Sequence, residues 1–148
     1  MEIKIYTDGA CIGNPGPGGW AAIILSENYK KELFGGEKLT TNNRMELMAA
    51  IKALEYCNDQ EKKQPSLKSI KIFTDSAYVK EGITVWINSW EKNNWKTKDK
   101  KNVKNVDLWK KLKELTLSST IEWNWIKGHS ENPMNDLADK LAKKATPI

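Results

Sequence analysis

Along this 148-residue chain the hydrophobic period changes several times, and each change marks an element. Near the start, the apolar run Ile3 to Tyr6 leads through Thr7 to Asp8 and then breaks into a glycine- and proline-rich turn that ends at Trp20. This predicts a strand carrying a carboxylate beside flexible backbone. Trp20–Leu25 and Lys31–Leu39 read as two further strands with a turn around Ser26-Glu27-Asn28, the pattern of an antiparallel meander. From Asn42 the period lengthens, and Leu47, Ala50, Ile51, Leu54 and Cys57 form one helical stripe behind a Thr41-Asn42-Asn43 cap. Asp59–Ser69, polar and containing Pro65, reads as a loop; Ile70–Thr74 is a fourth strand, and Tyr78–Trp90 one or two short helices around Gly82. Val106, Leu108, Trp109, Leu112 and Leu115 stripe another helix, and Thr120–Lys127 alternates Ile121, Trp123 and Trp125 as a fifth strand ended by Gly128-His129. Ala138, Leu141, Ala142 and Ala145 stripe a last helix, and the strand-helix-strand order predicts a right-handed parallel crossover.

The fourth strand repeats the first. Ile72-Phe73-Thr74-Asp75-Ser76-Ala77 follows the order of Ile5-Tyr6-Thr7-Asp8-Gly9-Ala10, so two strands pairing as parallel neighbours would bring their aspartates together. A lone aspartate in such a place is a turn residue; its recurrence points to a site. Glu46 lies in the first turn of its helix, where Asn43-x-x-Glu46 also resembles a capping box. Asp139 shares a helix side with Asn135, beside the last apolar stripe.

The length predicts a single domain over 1–148, one that buries roughly 68–70% of the surface its unfolded chain exposes. No apolar run approaches the roughly 20 residues that cross a bilayer, so no membrane partner is expected. Met1-Glu2 leads directly into a strand pattern, and two cysteines, Cys11 and Cys57, are too few for a disulfide scaffold; both are expected reduced, in a cytoplasmic protein. The net charge of +5 is concentrated: Lys92, Lys96, Lys98, Lys100, Lys101 and Lys104 face only Glu91 and Asp99 between residues 91 and 104. Trp86, Trp90 and Trp95 are interleaved with or lead into this run. Lysines alone read as a solvated face and spaced tryptophans as a core stripe, while the two together suit a phosphate-contacting surface.

Taken in order, TDGACIGNPGPGG, TNNRMELMAAIKALE, FTDSAYV, GITVWINSWEKNNWKT, KNVDLW, WNWIKGH and NDLADKLA resemble type 1 ribonuclease H, in its bacterial branch, over Asp8 to about Ala145. The resemblance implies an α/β fold of the ribonuclease H type: a mixed five-stranded sheet, three strands antiparallel and two parallel, flanked by helices, with a basic protrusion at about 82–104. It implies an endonuclease that cuts the RNA strand of RNA–DNA hybrids, leaving 5′-phosphate and 3′-hydroxyl ends, and that works as a monomer. Four metal-binding acids fall on Asp8, Glu46, Asp75 and Asp139, and a mobile proton-carrying histidine on His129, whose imidazole titrates close to neutrality. Clustered carboxylates suit hard divalent cations, Mg2+ expected and Mn2+ possible, acting as a pair on a phosphodiester. By position, Cys11, Asn14, Asn42, Asn43 and Asn135 are implied substrate contacts, the first four toward the RNA strand and its 2′-hydroxyls. Thr41, Lys104 and Asn105 match DNA-strand phosphate contacts, and Trp86, Trp90, Trp95, Lys96, Lys98, Lys100 and Lys101 belong to the protrusion that grips that strand.

The chain departs from the family pattern at several places. Ala77 stands where many relatives carry glutamine, Glu131 where glycine is common, and Asp136 where glutamate often follows the last asparagine. Arg44 is the only arginine, so phosphate contacts elsewhere would come from lysine, without bidentate geometry. A non-catalytic hybrid-binding module would gain nothing from four acids facing phosphates, and a glycosidase-like carboxylate pair would work without metal.

Overall fold

The computed structural model describes residues 2–27, 29–63, 69–117, 119–126 and 132–147. Five strands, β1 (Glu2–Cys11), β2 (Gly16–Leu25), β3 (Lys30–Thr40), β4 (Ser69–Thr74) and β5 (Thr120–Trp125), form one sheet in the order β3-β2-β1-β4-β5. β1 pairs antiparallel with β2, and β2 with β3; β1 pairs parallel with β4, and β4 with β5. The mixed sheet expected from the sequence is therefore the one observed. Helix α1 (Asn42–Lys63) follows the meander, and α2 (Ala77–Glu81), a π-helical turn (Gly82–Trp86) and α3 (Ile87–Lys92) run on without a break. α4 (Val106–Thr116) and α5 (Pro133–Ala145) complete the order.

The period of two in β1 decides which layer each residue joins. Ile3 and Ile5 enter the larger core with Leu47, Ile51 and Leu54 of α1 and Trp109 and Leu112 of α4. Tyr6 turns to the other face, against Ile23 and Ala138 of α5, and its ring stacks on Phe73 at 4.8 Å. Among the described residues, no helix is long and apolar enough to cross a membrane. Among the described residues, Cys11 and Cys57 form no disulfide.

Two local readings need correction. β1 does not stop at Asp8: Gly9, Ala10 and Cys11 continue to pair with Trp20, Gly19 and Gly18, because the ladder to β2 outweighs the turn-forming composition and narrows the turn. Residues 59–63 are helix, not loop; Gln60, Glu61, Lys62 and Lys63 are good helix formers, and a polar run does not end a helix as proline does. Residues 64–68 of that predicted loop, and Asn28 of the predicted turn, lie outside the described residues. Of the one or two short helices expected around Gly82, the structure forms one unbroken run. A Cβ there would lie 2.0 Å from a ring carbon of Trp109, so glycine admits the indole and the helix runs past.

Candidate active site

The acids meet because of sheet register. Tyr6 pairs with Phe73 and Thr7 with Thr74 in the parallel β1–β4 ladder, so Asp8 and Asp75 follow side by side. The corner after β4 is tied down at each step. Ile126 N donates to Thr74 O at 2.8 Å, Ser76 N to Thr74 Oγ1 at 3.0 Å, and Trp125 Nε1 to Asp75 O at 3.2 Å.

Glu46 arrives from the helix side, and Gly9 makes room for it. A Cβ on Gly9 would lie 2.5 Å from Glu46 N and 2.6 Å from Met45 C, so any side chain would push α1 off the strand. Glu46 is not a capping residue. Thr41 caps α1, its Oγ1 accepting from Arg44 N at 3.2 Å, and no acid lies in the first turn. The register of the cap places Glu46 one turn further on, where it is 4% exposed.

One carboxylate oxygen from each of Asp8, Glu46 and Asp75 lies within 4.8 Å of the others. Glu46 Oε2 is buried without a hydrogen-bond partner among the described residues, whereas Asp8 Oδ1 accepts from Gly9 N at 2.8 Å. Asp139 lines the same cavity from α5, and its Oδ2 accepts from Lys143 Nζ at 3.0 Å. That helix starts on Asn132, whose side chain accepts from Met134 N and Asn135 N at 3.0 and 3.2 Å.

Electrostatics at this point oppose ionisation. Burial, and then the Asp75 charge, push the Asp8 carboxyl up from 3.8 to about 7, against the bonds from Glu46 and Gly9 that pull it down. Burial, followed by Asp8 and Asp75, also raises Glu46 well above the ordinary carboxylate range. An unpartnered buried oxygen inside a group of acids that resist charging is a donor set matched to a hard cation. The residues present fit a divalent metal, which Asp8, Glu46 and Asp75 would hold with Asp139 beside them.

The cavity, about 430 Å³, is also lined by Asn42, Asn43, Ser76, Ala77 and Tyr78. Cys11, Asn14 and Thr41 surround the start of α1 without lining it: Cys11 Sγ donates to Thr40 O at 3.4 Å, and Asn14 Oδ1 accepts from Asn42 N at 2.8 Å. Asn135 is buried in α5 and is not a lining residue. His129 and Glu131 lie outside the described residues.

Trp86, Trp90 and Trp95 form an aromatic chain, with centroids 5.9 and 6.3 Å apart, and Trp90 also meets Trp109 at 5.4 Å. Trp90 and Trp95 pack on the core, while Trp86 is 38% exposed. A groove of about 580 Å³ runs beside them, lined among others by Val85, Trp86, Lys96 and Lys98. Lys96, Lys98, Lys100, Lys101 and Lys104 are exposed; Lys96 Nζ also contacts Asn102 Oδ1.

Four further residues around the site were not among those expected from the sequence. Tyr78 lines the acid cavity, and its hydroxyl accepts from Asn105 Nδ2 and Trp109 Nε1, both at 3.1 Å. The other three are Trp125, Lys143 and Arg44. Lys143 alone carried a signal, its i,i+4 spacing from Asp139.

The RNase H family model matches residues 1–146. The chain belongs to the type 1 ribonuclease H family. The ribonuclease H of Maricaulis maris is 56% identical over 142 residues, spanning 96% of this chain and 91% of that protein. That of Treponema denticola is 52% identical, spanning 98% and 97%. Among solved structures, LC9-RNase H1, a type 1 enzyme with the type 2 active-site motif, superposes with a TM-score of 0.84 at 28% identity, covering 98% of this chain and 72% of its own. RNase H1 from Halobacterium salinarum gives 0.68 at 26% identity, covering 98% and 97%. The ribonuclease H expected from the motifs is thus an enzyme of that family, a nuclease and hydrolase, and its fold is that of its relatives.

Proposed function

We propose that this ribonuclease H is a metal-dependent endonuclease that cuts the RNA strand of RNA–DNA hybrids, leaving 5′-phosphate and 3′-hydroxyl ends. The observation that carries this reading is the trio Asp8, Glu46 and Asp75, the first two buried and the third half-buried, with oxygens within 4.8 Å of one another. Asp8, Glu46, Asp75 and Asp139 would hold two divalent cations, Mg2+ in the first place and Mn2+ as a substitute. When bound, such ions activate water on one side of a phosphodiester and stabilise the departing oxygen on the other.

The remaining residues bind and orient. Asn42 and Asn43, which line the acid cavity, meet the RNA strand together with Cys11 and Asn14, hydrogen-bonding its 2′-hydroxyls where DNA offers only hydrogen, and Asn135 is a further substrate contact. Thr41, Lys104 and Asn105 hold a DNA-strand phosphate. The tryptophan and lysine excursion, part of a protrusion at about 82–104, grips the same strand further along. His129 carries a proton to or from the reacting centre. The chain acts as one domain, a cytoplasmic monomer.

Labelled hybrid, duplex RNA and duplex DNA, each incubated with magnesium or with chelator, test the proposal. Cleavage of the RNA strand of hybrid alone, and only with metal, is the expected result. Binding without cleavage identifies a non-catalytic module, and cleavage in chelator excludes the metal reading.

A further inference from the structure

Arginine occurs once in this chain, although 24 residues are lysine or arginine. Arg44 is not spent on open surface. Its Nη1 and Nη2 donate to Oδ1 and Oδ2 of Asp107 at 3.1 and 2.9 Å, and Nη1 also donates to Asn105 Oδ1 at 3.2 Å. A lysine at 44 could supply the charge but not the planar fork that engages a carboxylate and an amide together.

The amide it engages is in an unusual place. Asn105 has φ 60°, a left-handed conformation that is uncommon outside glycine. Its side chain is held from both ends, Oδ1 by Arg44 and Nδ2 by the Tyr78 hydroxyl at 3.1 Å. Asn105 therefore fixes its own turn, and the neighbouring Lys104 is left exposed. Arg44 also stands two residues before Glu46, in the first turn of α1. It joins the base of the basic excursion to the helix that carries one of the clustered acids.

We infer that Arg44 is a positioning residue: through Asn105 and Asp107 it fixes how far the Lys104–Asn105 turn stands from the acid cluster, and so where along a hybrid the cut falls. For its substrate this rests on the function proposed above. Asn105 and Lys104 hold the DNA-strand phosphate, and Arg44 acts only through them.

Two variants test it. Arg44→Lys keeps the charge and removes the fork; Asp107→Asn keeps the shape and removes the opposing charge, and carries the comparison if the first fails to fold. Each is assayed with the parent on an end-labelled hybrid in magnesium, reading KM, kcat and cut positions, and each is melted in chelator and in magnesium. Loss of hydrogen bonds to a charged group should raise KM about tenfold. In the same assay kcat should stay within about twofold, and the cuts should spread to neighbouring phosphodiesters. Magnesium should raise the melting temperature as much as in the parent, since the acids are untouched. Parent KM with the parent cut pattern overturns the inference, whether or not the variant melts earlier. A fall in kcat together with a lost magnesium shift also overturns it, since the effect would then lie on Glu46. If the parent leaves hybrid uncut, the substrate reading itself falls, and the inference with it.

Discussion

The acid cavity and the lysine excursion are built in opposite ways. The cavity gathers Asp8, Glu46, Asp75 and Asp139 from strand β1, the corner after β4 and two helices, and Asp8 and Glu46 are each only 4% exposed. The excursion comes from one stretch and is bonded mostly to itself: Trp95 N donates to Trp90 O at 2.7 Å, Thr97 N to Lys101 O at 2.8 Å and Val103 N to Trp95 O at 3.1 Å. Its lysines stand in water. Charges taken out of water interact strongly and resist ionisation, whereas exposed charges are screened and act in small, additive shares. Single substitutions should therefore be decisive in the cavity and marginal in the excursion.

The largest effect should come from Asp8→Asn, which removes one of the clustered carboxylates proposed to hold metal; hybrid cleavage should fall by about 10³-fold or more in single-turnover assays. Gly9→Ala comes next, because its methyl group would meet the backbone of Glu46 and Met45. Displacing α1 from β1 should cut kcat by roughly 10²-fold, since small misplacements of catalytic groups are costly. The magnesium-induced rise in melting temperature should shrink with it. Full activity in this variant would show that the closeness of α1 to β1 is not what assembles the acids.

His129→Ala should lower kcat by about 10²-fold and leave KM near the parent value, because water partly replaces a proton carrier. A variant that keeps full kcat at neutral pH removes His129 from the mechanism. The smallest effect per residue belongs to the excursion. Replacing Lys96, Lys98, Lys100 and Lys101 together with alanine should raise KM, spare kcat, and lower the slope of log K against log salt by roughly 0.7–0.9 for each phosphate no longer neutralised. An unchanged slope would show that the grip lies elsewhere.

Much of this architecture is legible in the sequence. The repeat of Thr-Asp after an apolar run signals two strands whose parallel pairing joins Asp8 to Asp75, and the observed register does so. Glu46 is harder to place, because its spacing from Asn43 mimics a capping box; only the position of the true cap, Thr41, separates the readings. Gly9 and Gly82 look like turn and break signals, yet each is a space left for a neighbour distant in sequence. The bonds from Arg44 to Asn105 and Asp107 span 61 and 63 residues, and no periodicity reports a pairing of that kind. The tryptophans are ambiguous for a physical reason: Trp90 and Trp95 serve the core while they brace a basic surface.

On this reading the cavity holds mutually repelling carboxylates made tolerable by metal. Asp8 has a folded-state value of about 7 against an ordinary 3.8. For a group raised on folding, its contribution to stability is full below the ordinary value and is lost as pH rises through the folded one. In chelator, the parent should therefore lose stability between about pH 4 and pH 7, and Asp8→Asn should lose less, because an amide does not titrate. The direct measurement is the melting temperature of both proteins from about pH 4 to about pH 8, in chelator and then in magnesium. Asp8→Asn should melt a few degrees above the parent in chelator at about pH 8, and magnesium should raise the parent more than the variant. A variant that melts below the parent in chelator, or gains as much from magnesium, would contradict it.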